Sequence, residues 1–115
     1  MPANVYDMIC EQGTTFVRVV TYTDSNNTPI NISSYSGRMK VRKSRSSVEE
    51  YLSLTSGGGG LVLQADGEIE ITVPAGTSAK IPAGNYRYDL EIISPAGVVI
   101  RVIEGEFKVS GEVTR

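Results

Sequence analysis

The stretch Pro74–Ile93, PAGTSAKIPAGNYRYDLEII, decides how this chain folds. It reads as a short connection, a tight corner and then a long strand. In Ile81-Pro82-Ala83-Gly84-Asn85-Tyr86, Pro82 fixes φ and removes a backbone donor, and Gly84 is free to take a positive φ. Beyond the corner, Tyr86, Tyr88, Leu90 and Ile92 fall on one face, with Arg87, Asp89 and Glu91 on the other. Period-two alternation of this length predicts a half-buried strand with a charged outer side. Two readings of its start stay open. The tyrosines pack as rings in a buried strand, or Pro82, Gly84 and Tyr86 form a structural corner in which the Tyr86 hydroxyl bonds back to upstream backbone.

Working outward, the same alternation recurs. Glu68–Val73 points Ile69, Ile71 and Val73 inward and Glu68, Glu70 and Thr72 outward. Ser36–Lys43 puts Gly37, Met39 and Val41 on one face and Arg38, Lys40 and Arg42 on the other, a half-buried strand with a basic side. Thr14–Thr23 is rich in β-branched and aromatic residues. Neither of its faces is cleanly polar, which suits a central strand contacted on both sides. Asn4–Glu11 opens the chain with Tyr6, Met8 and Cys10 on one side. Val48–Thr55 sets Glu50, Leu52 and Leu54 against Tyr51.

Turn chemistry separates these runs. Asp24–Asn27, Ala65-Asp66-Gly67 and Ser94-Pro95-Ala96-Gly97 are turns, and Ser44–Ser47 is a loop. Pro29–Ile32 fits an edge, because proline cannot donate to a ladder. Gly57–Gly60 reads as a flexible hairpin tip, and Pro74–Lys80 as a helical turn carrying Ala75 and Ala79. Gly105 reads as a bulge in the last strand. The expectation is one all-β domain over residues 1–115 with a short polar tail at 110–115. Its fold class is an Ig-like or Greek-key antiparallel β-sandwich of about eight strands.

The totals remove many functions. The chain has 115 residues, a net charge of −2 and a pI near 5.1, so no global attraction to nucleic acid or anionic lipid is expected. The opening decapeptide lacks the basic and apolar regions of a signal peptide, and no apolar run suits a membrane helix. The two glycosylation sequons at Asn26 and Asn31 are then coincidental. There is no His and one Cys, so neither a transition-metal cluster nor the commonest general base is at hand. Cys10 lies in an apolar alternation and reads as a buried thiol. Glu68, Glu70, Asp89, Glu91, Glu104 and Glu106 read as the solvated faces of sheets. No catalytic residue, metal site or cofactor is expected. Arg38, Lys40 and Arg42, with Lys43 and Arg45 nearby, form a possible basic interface face. No aromatics are interleaved there for stacking on nucleic acid.

Several stretches together resemble a family of small structural proteins of tailed phages. They are Val5-Tyr6-Asp7 with Glu11–Phe16, Ile30–Tyr35 leading into Arg38–Arg42, and Gly67 with Ile69–Val73. Pro82–Glu91, Gly105–Ser110 and Glu112–Arg115 complete the set. The chain is also similar, more loosely, to the Ig-like N-terminal domain of phage baseplate upper proteins. It departs from the family's usual polar turn after the fourth strand, where it has four glycines. The resemblance implies a virion component made in the host bacterial cytoplasm, which joins or anchors tail, baseplate or fibre parts. The implied partners are other virion proteins and, by analogy with phage symmetry, copies of itself in a ring or trimer. A capsid decoration protein is the alternative. A host-glycan binding module using Tyr35 and Tyr51 is a third reading. Val17, Val19, Ile93, Val99 and Ile103 lack a clear inward side and are candidates for a self-contact.

Overall fold

The computed structural model describes residues 4–44 and 49–111. Arg45, most of the expected loop at 44–47, the start of the strand expected from Val48 and the tail from 112 onward lie outside the described residues. The chain is an all-β sandwich of two packed sheets. Its strands are β1 (Asn4–Val5), β2 (Met8–Glu11), β3 (Phe16–Thr21), β4 (Ser36–Arg42), β5 (Glu50–Thr55), β6 (Leu61–Leu63), β7 (Glu68–Val73), β8 (Gly84–Ile93) and β9 (Val99–Ser110), with a single helical turn, α1 (Ala75–Ser78), before β8. The larger sheet runs β1-β9-β8-β4-β5, with β2 also on β9, and the smaller runs β3-β7-β6. This is the Ig-like Greek-key order. The pairings are antiparallel except that β1 and β2 run parallel to β9.

The inward sides are the apolar sides of the alternating runs. Phe107, Ile32, Met39, Ile69, Ile71, Leu90 and Ile92 are all fully buried between the sheets. Phe107 is the hub. Phe16 meets its ring edge-on from the smaller sheet at 5.5 Å, and Tyr88 does so from β8 at 6.3 Å. At the head of β8 the Tyr86 hydroxyl donates to the Pro82 carbonyl at 2.5 Å, four residues back, and closes the corner around Gly84. Ser78 is also fully buried. Its hydroxyl donates to the Thr14 carbonyl at 2.7 Å and accepts from the Gly13 amide at 3.1 Å, so α1 is stitched to the turn before β3.

Four details differ from the sequence expectation, each for a local reason. First, the opening run is broken at Tyr6-Asp7, and Tyr6 is exposed while Met8 and Cys10 are buried. The break steps over Gly105, where a Cβ would stand 2.7 Å from both the Tyr6 carbonyl and Asp7 Oδ1. Asp7 Oδ1 accepts from the Glu106 amide at 2.9 Å, and the Tyr88 hydroxyl donates to the Tyr6 carbonyl. Gly105 is therefore in regular register opposite Tyr88, and the bulge lies at Val102 instead, between the pairs Leu90–Ile103 and Glu91–Arg101. Second, the four glycines are no hairpin tip. They carry the chain from β5 in one sheet to β6 in the other, tied by Gly59 N–H to Thr55 O at 2.9 Å and Thr72 N–H to Gly60 O at 2.9 Å. Gly59 and Gly60 adopt φ of 113° and 98°, a region closed to most side chains. Third, Tyr51 is the extra residue of a second bulge, opposite Val41/Arg42. Its ring turns onto Tyr86 with centroids 4.8 Å apart.

Fourth, β3 is an edge strand, not a central one. Phe16 is buried, Arg18 and Val20 are half-buried on the inner side, and Val17 and Val19 face out. On β7, Thr72 N–H and Glu68 C=O bond toward β6, so the odd residues bond to β3. The edge-facing backbone groups of β3 accordingly belong to Val17, Val19 and Thr21. Arg18 covers part of that edge. Its guanidinium lies 4.5 Å over the Phe16 ring and donates to the Val17 carbonyl at 2.8 Å and to the Ile9 carbonyl of β2 at 3.2 Å, a clasp across the open side of the sandwich.

Two substitutions probe these constraints in chemical denaturation. Tyr86→Phe removes only the corner hydrogen bond and is expected to cost about 1–1.5 kcal/mol. Gly105→Ala drives a methyl into backbone atoms that cannot swing away, with an expected loss of about 1–3 kcal/mol. A midpoint unchanged by Gly105→Ala would show that the crossing of Tyr6-Asp7 is not tight.

Candidate functional site

The outer face of the larger sheet is the candidate site. Alternation projects Arg38, Lys40 and Arg42 outward from β4, and Arg87, Asp89 and Glu91 outward from β8. The bulge at Val102 puts Arg101 and Glu104 of β9 on that same face, although plain alternation would send them to opposite sides. Register then sets the rows. Arg38 stands beside Glu91 and Arg101, Lys40 beside Asp89 and Glu104, and Arg42 beside Arg87 and Glu106. These side chains line a shallow groove of about 370 Å³, with Ser44 and the edge of Tyr88. Five cations and three carboxylates line it.

Most of the charge is already paired. Glu91 accepts from Arg38 at 2.8 Å and from Arg101 at 3.1 Å. Arg101 also approaches Asp89 and Glu104, each at 3.7 Å. On the β5 side, Glu50 accepts from Lys40 at 2.8 Å and lies 3.4 Å from Arg42. Arg38, Lys40 and Arg42 do share one face. It is a charge mosaic held by carboxylates from three neighbouring strands, not a bare basic strip.

The carboxyls respond differently to this setting. Burial would raise Glu91, but hydrogen bonds from Arg38 and Arg101 outweigh it and hold its carboxyl below the ordinary value. Burial pushes Asp89 up, against the attraction of Arg101. The hydrogen bond from Lys40 lowers Glu50. Directly across β4 and β8, Arg42 faces Arg87, and Glu50 and Glu106 close the same row on either side. Like charges placed opposite each other weaken a strand pair.

The lone thiol lies away from the groove. Cys10 is fully buried and its thiol is pushed up by that burial, more than Arg18 pulls it down. Burial also raises the Tyr86 and Tyr88 phenols, so both remain neutral donors. Among the described residues no three Cys, Asp or Glu side chains gather to hold a metal ion. No described helix is long and apolar enough to cross a membrane.

The apolar candidates divide between two places. Val17 and Val19 are exposed on the outer face of the smaller sheet, joined there by Val62, which the sequence reading left unremarked. Val99 is exposed and pairs with half-buried Ile93 at the far end of the larger sheet. Ile103 belongs to neither group. The extra residue at Val102 reverses the alternation of β9, so Ile103 turns into the core at 5% exposure while Val99 stays outside. The two rings considered for glycan stacking, Tyr35 and Tyr51, are half-buried and packed against the core.

No protein-family profile and no curated protein matches the chain. Among solved structures it is similar to extracellular domains 3–5 of Drosophila OTK, at 18% identity and a TM-score of 0.36, covering 97% of this chain and 34% of that one. It is also similar to a family 123 glycoside hydrolase from Clostridium perfringens, at 12% identity and a TM-score of 0.37, covering 97% of this chain and 24% of that one. The chain thus spans about a third and a quarter of the length of these two. Likenesses this distant identify no role.

The two central carboxyls should separate in a pH series of urea unfolding. Glu91 is lowered in the fold, so its stabilisation is present above its unfolded value and fades as pH falls through the folded one. Glu91→Gln is expected to cost about 1 kcal/mol at neutral pH, after allowance for solvent screening, and progressively less as pH falls below the ordinary glutamate range. Asp89 is raised, so its charged form opposes folding, and Asp89→Asn is expected to leave neutral-pH stability unchanged or slightly higher. A large loss from Asp89→Asn alone would mean that Arg101 depends on Asp89 more than on Glu91.

Proposed function

We propose that the chain is a non-enzymatic structural module of a tailed-phage virion, a small β-sandwich that joins or anchors tail, baseplate or fibre components. The observation that carries this reading is the outer face of the larger sheet. It is a groove of fixed charges, positioned by strand register and cross-linked by ion pairs. Such a face recognises a partner by shape and charge without chemistry on it. The resemblance to small phage structural proteins, in stretches spread over nearly the whole chain, supports the same reading. So does the construction of the domain, a rigid sandwich closed by aliphatic and aromatic packing. A glycan module is less well supported, since Tyr51 is stacked on Tyr86 and Tyr35 leans on the core.

Antibodies raised against the purified chain are expected to label tailed-phage particles from its source lysate at the tail or baseplate under electron microscopy. Label spread over the capsid would favour the decoration alternative. Purified particles that carry none of the chain would overturn the virion assignment.

A further inference from the structure

The open edge of the smaller sheet extends well past the head that Arg18 covers. Beyond β3 the ladder continues, because Asp24 N–H bonds to Thr28 O at 2.9 Å and Ile30 N–H to Tyr22 O at 3.1 Å. Tyr22 faces the β7 side, where its own N–H reaches Gly67 O at 2.8 Å, so the backbone of Thr23 faces the edge. Val19, Thr21 and Thr23 thus turn successive N–H and C=O groups outward, and none of these groups has a partner among the described residues. All three side chains are β-branched, and no proline or lysine blunts the run. At its head, Arg18 is paired with no carboxylate, and Glu11 lines the cleft beside it without an ion pair. At its other end, Asp24 Oδ1 accepts from the amides of Asn26 at 2.8 Å and Thr28 at 3.0 Å, and its second oxygen has no partner among the described residues.

The geometry points to a second copy of this chain as the occupant of this edge, paired antiparallel about a two-fold axis through Thr21. The inference rests on the reading of the chain as an assembly module and names its partner. In this register Thr21 stands opposite the partner's Thr21, and Val19 opposite the partner's Thr23, each pair exchanging backbone hydrogen bonds. Arg18 then stands opposite the partner's Asp24, with both side chains on the inner side of the joined sheet. Each copy supplies the charge that the other lacks, once at either end of the contact. None of the new bonds uses the Val17 carbonyl, so the Arg18 clasp stays in place. An axis through Val20 would set the partner's Thr23 against that occupied carbonyl and leave Arg18 opposite Tyr22. The β7 glutamates do not oppose the pairing. Glu68 lies beside Thr21 within its own sheet. The two copies of Glu68 are then three strand spacings apart, about 14 Å, beyond a Debye length at physiological salt. The product is one sheet built from the two three-stranded ones. The contact is isologous, uses up the β3 edge of both copies and closes at two.

Sedimentation velocity over a concentration series tests the pair. The wild-type chain is expected to pass from monomer to dimer as its concentration rises. Thr21→Pro removes the edge N–H at the axis and leaves every bond to β7, and is expected to weaken association about tenfold or more. Thr21→Lys and Thr21→Glu each set like charges against one another across the axis. Each should be monomeric alone, and an equimolar mixture of the two should dimerise. Circular dichroism and a thermal melt of each variant confirm that these exposed changes leave the sandwich folded. A wild-type chain that stays monomeric, a Thr21→Pro chain that dimerises as well as wild type, or a Lys and Glu mixture that stays monomeric overturns the inference. Labelling of phage particles is a separate readout. A monomeric chain on virions would remove the pair and leave the structural role standing, and a dimer absent from virions would do the reverse.

Discussion

The ladder between β8 and β9, and the single extra residue within it, organise this molecule. Before Val102, β9 sends Arg101 and Val99 outward; after it, Ile103, Gly105, Phe107 and Val109 all point in. One inserted residue therefore supplies both the hub of the core and the outward Arg101–Glu104 pair. It also sets Gly105 opposite Tyr88, and only a glycine there lets the opening segment cross at Tyr6-Asp7. Shifting the register by one residue would move Phe107 to solvent and dismantle the groove together with the core.

Sandwiches of the antibody type brace their two sheets with a disulfide, whose second cysteine follows the corner tyrosine by two residues. In this chain that place is held by Tyr88. Its ring rests on Phe107, which in turn meets Phe16 of the other sheet, and its hydroxyl reaches the opening segment. The brace is aromatic and hydrogen-bonded where a covalent one would need oxidation. The lone Cys10, sealed in the core, has no part in it. A chain built this way holds its form regardless of the redox state around it.

Much of this was legible in the residues themselves. The alternation in β4, β7 and β8 told inside from outside correctly, because each strand is regular and covered on one face. The turns at 65–67 and 94–97, and the helical turn before β8, followed from Gly, Pro and Asp chemistry. Illegible features were those that break period two. The bulge at Val102 leaves no compositional mark, so Ile103 was grouped with Val99. The bulge at Tyr51 likewise turned an outward ring inward. Gly105 was read as a bulge when its role is to be thin. The valines of β3 looked ambiguous because that strand is an edge whose outer face is apolar. The groove's charges were visible one strand at a time, but their pairing depends on register between strands far apart in the chain, which no local pattern encodes.

Arg18 gives the open side of the sandwich an unusual guard. Its guanidinium occupies the carbonyls of Val17 and Ile9, the groups that a stray strand would seek first. Many copies crowded at one place normally risk runaway strand-to-strand zippering, which seldom reverses. With those two acceptors taken, a strand arriving at this seam meets a cation in place of open carbonyls. One side chain thereby makes the head of β3 a poor template for fibre growth, while the backbone groups of Val19 further along stay open.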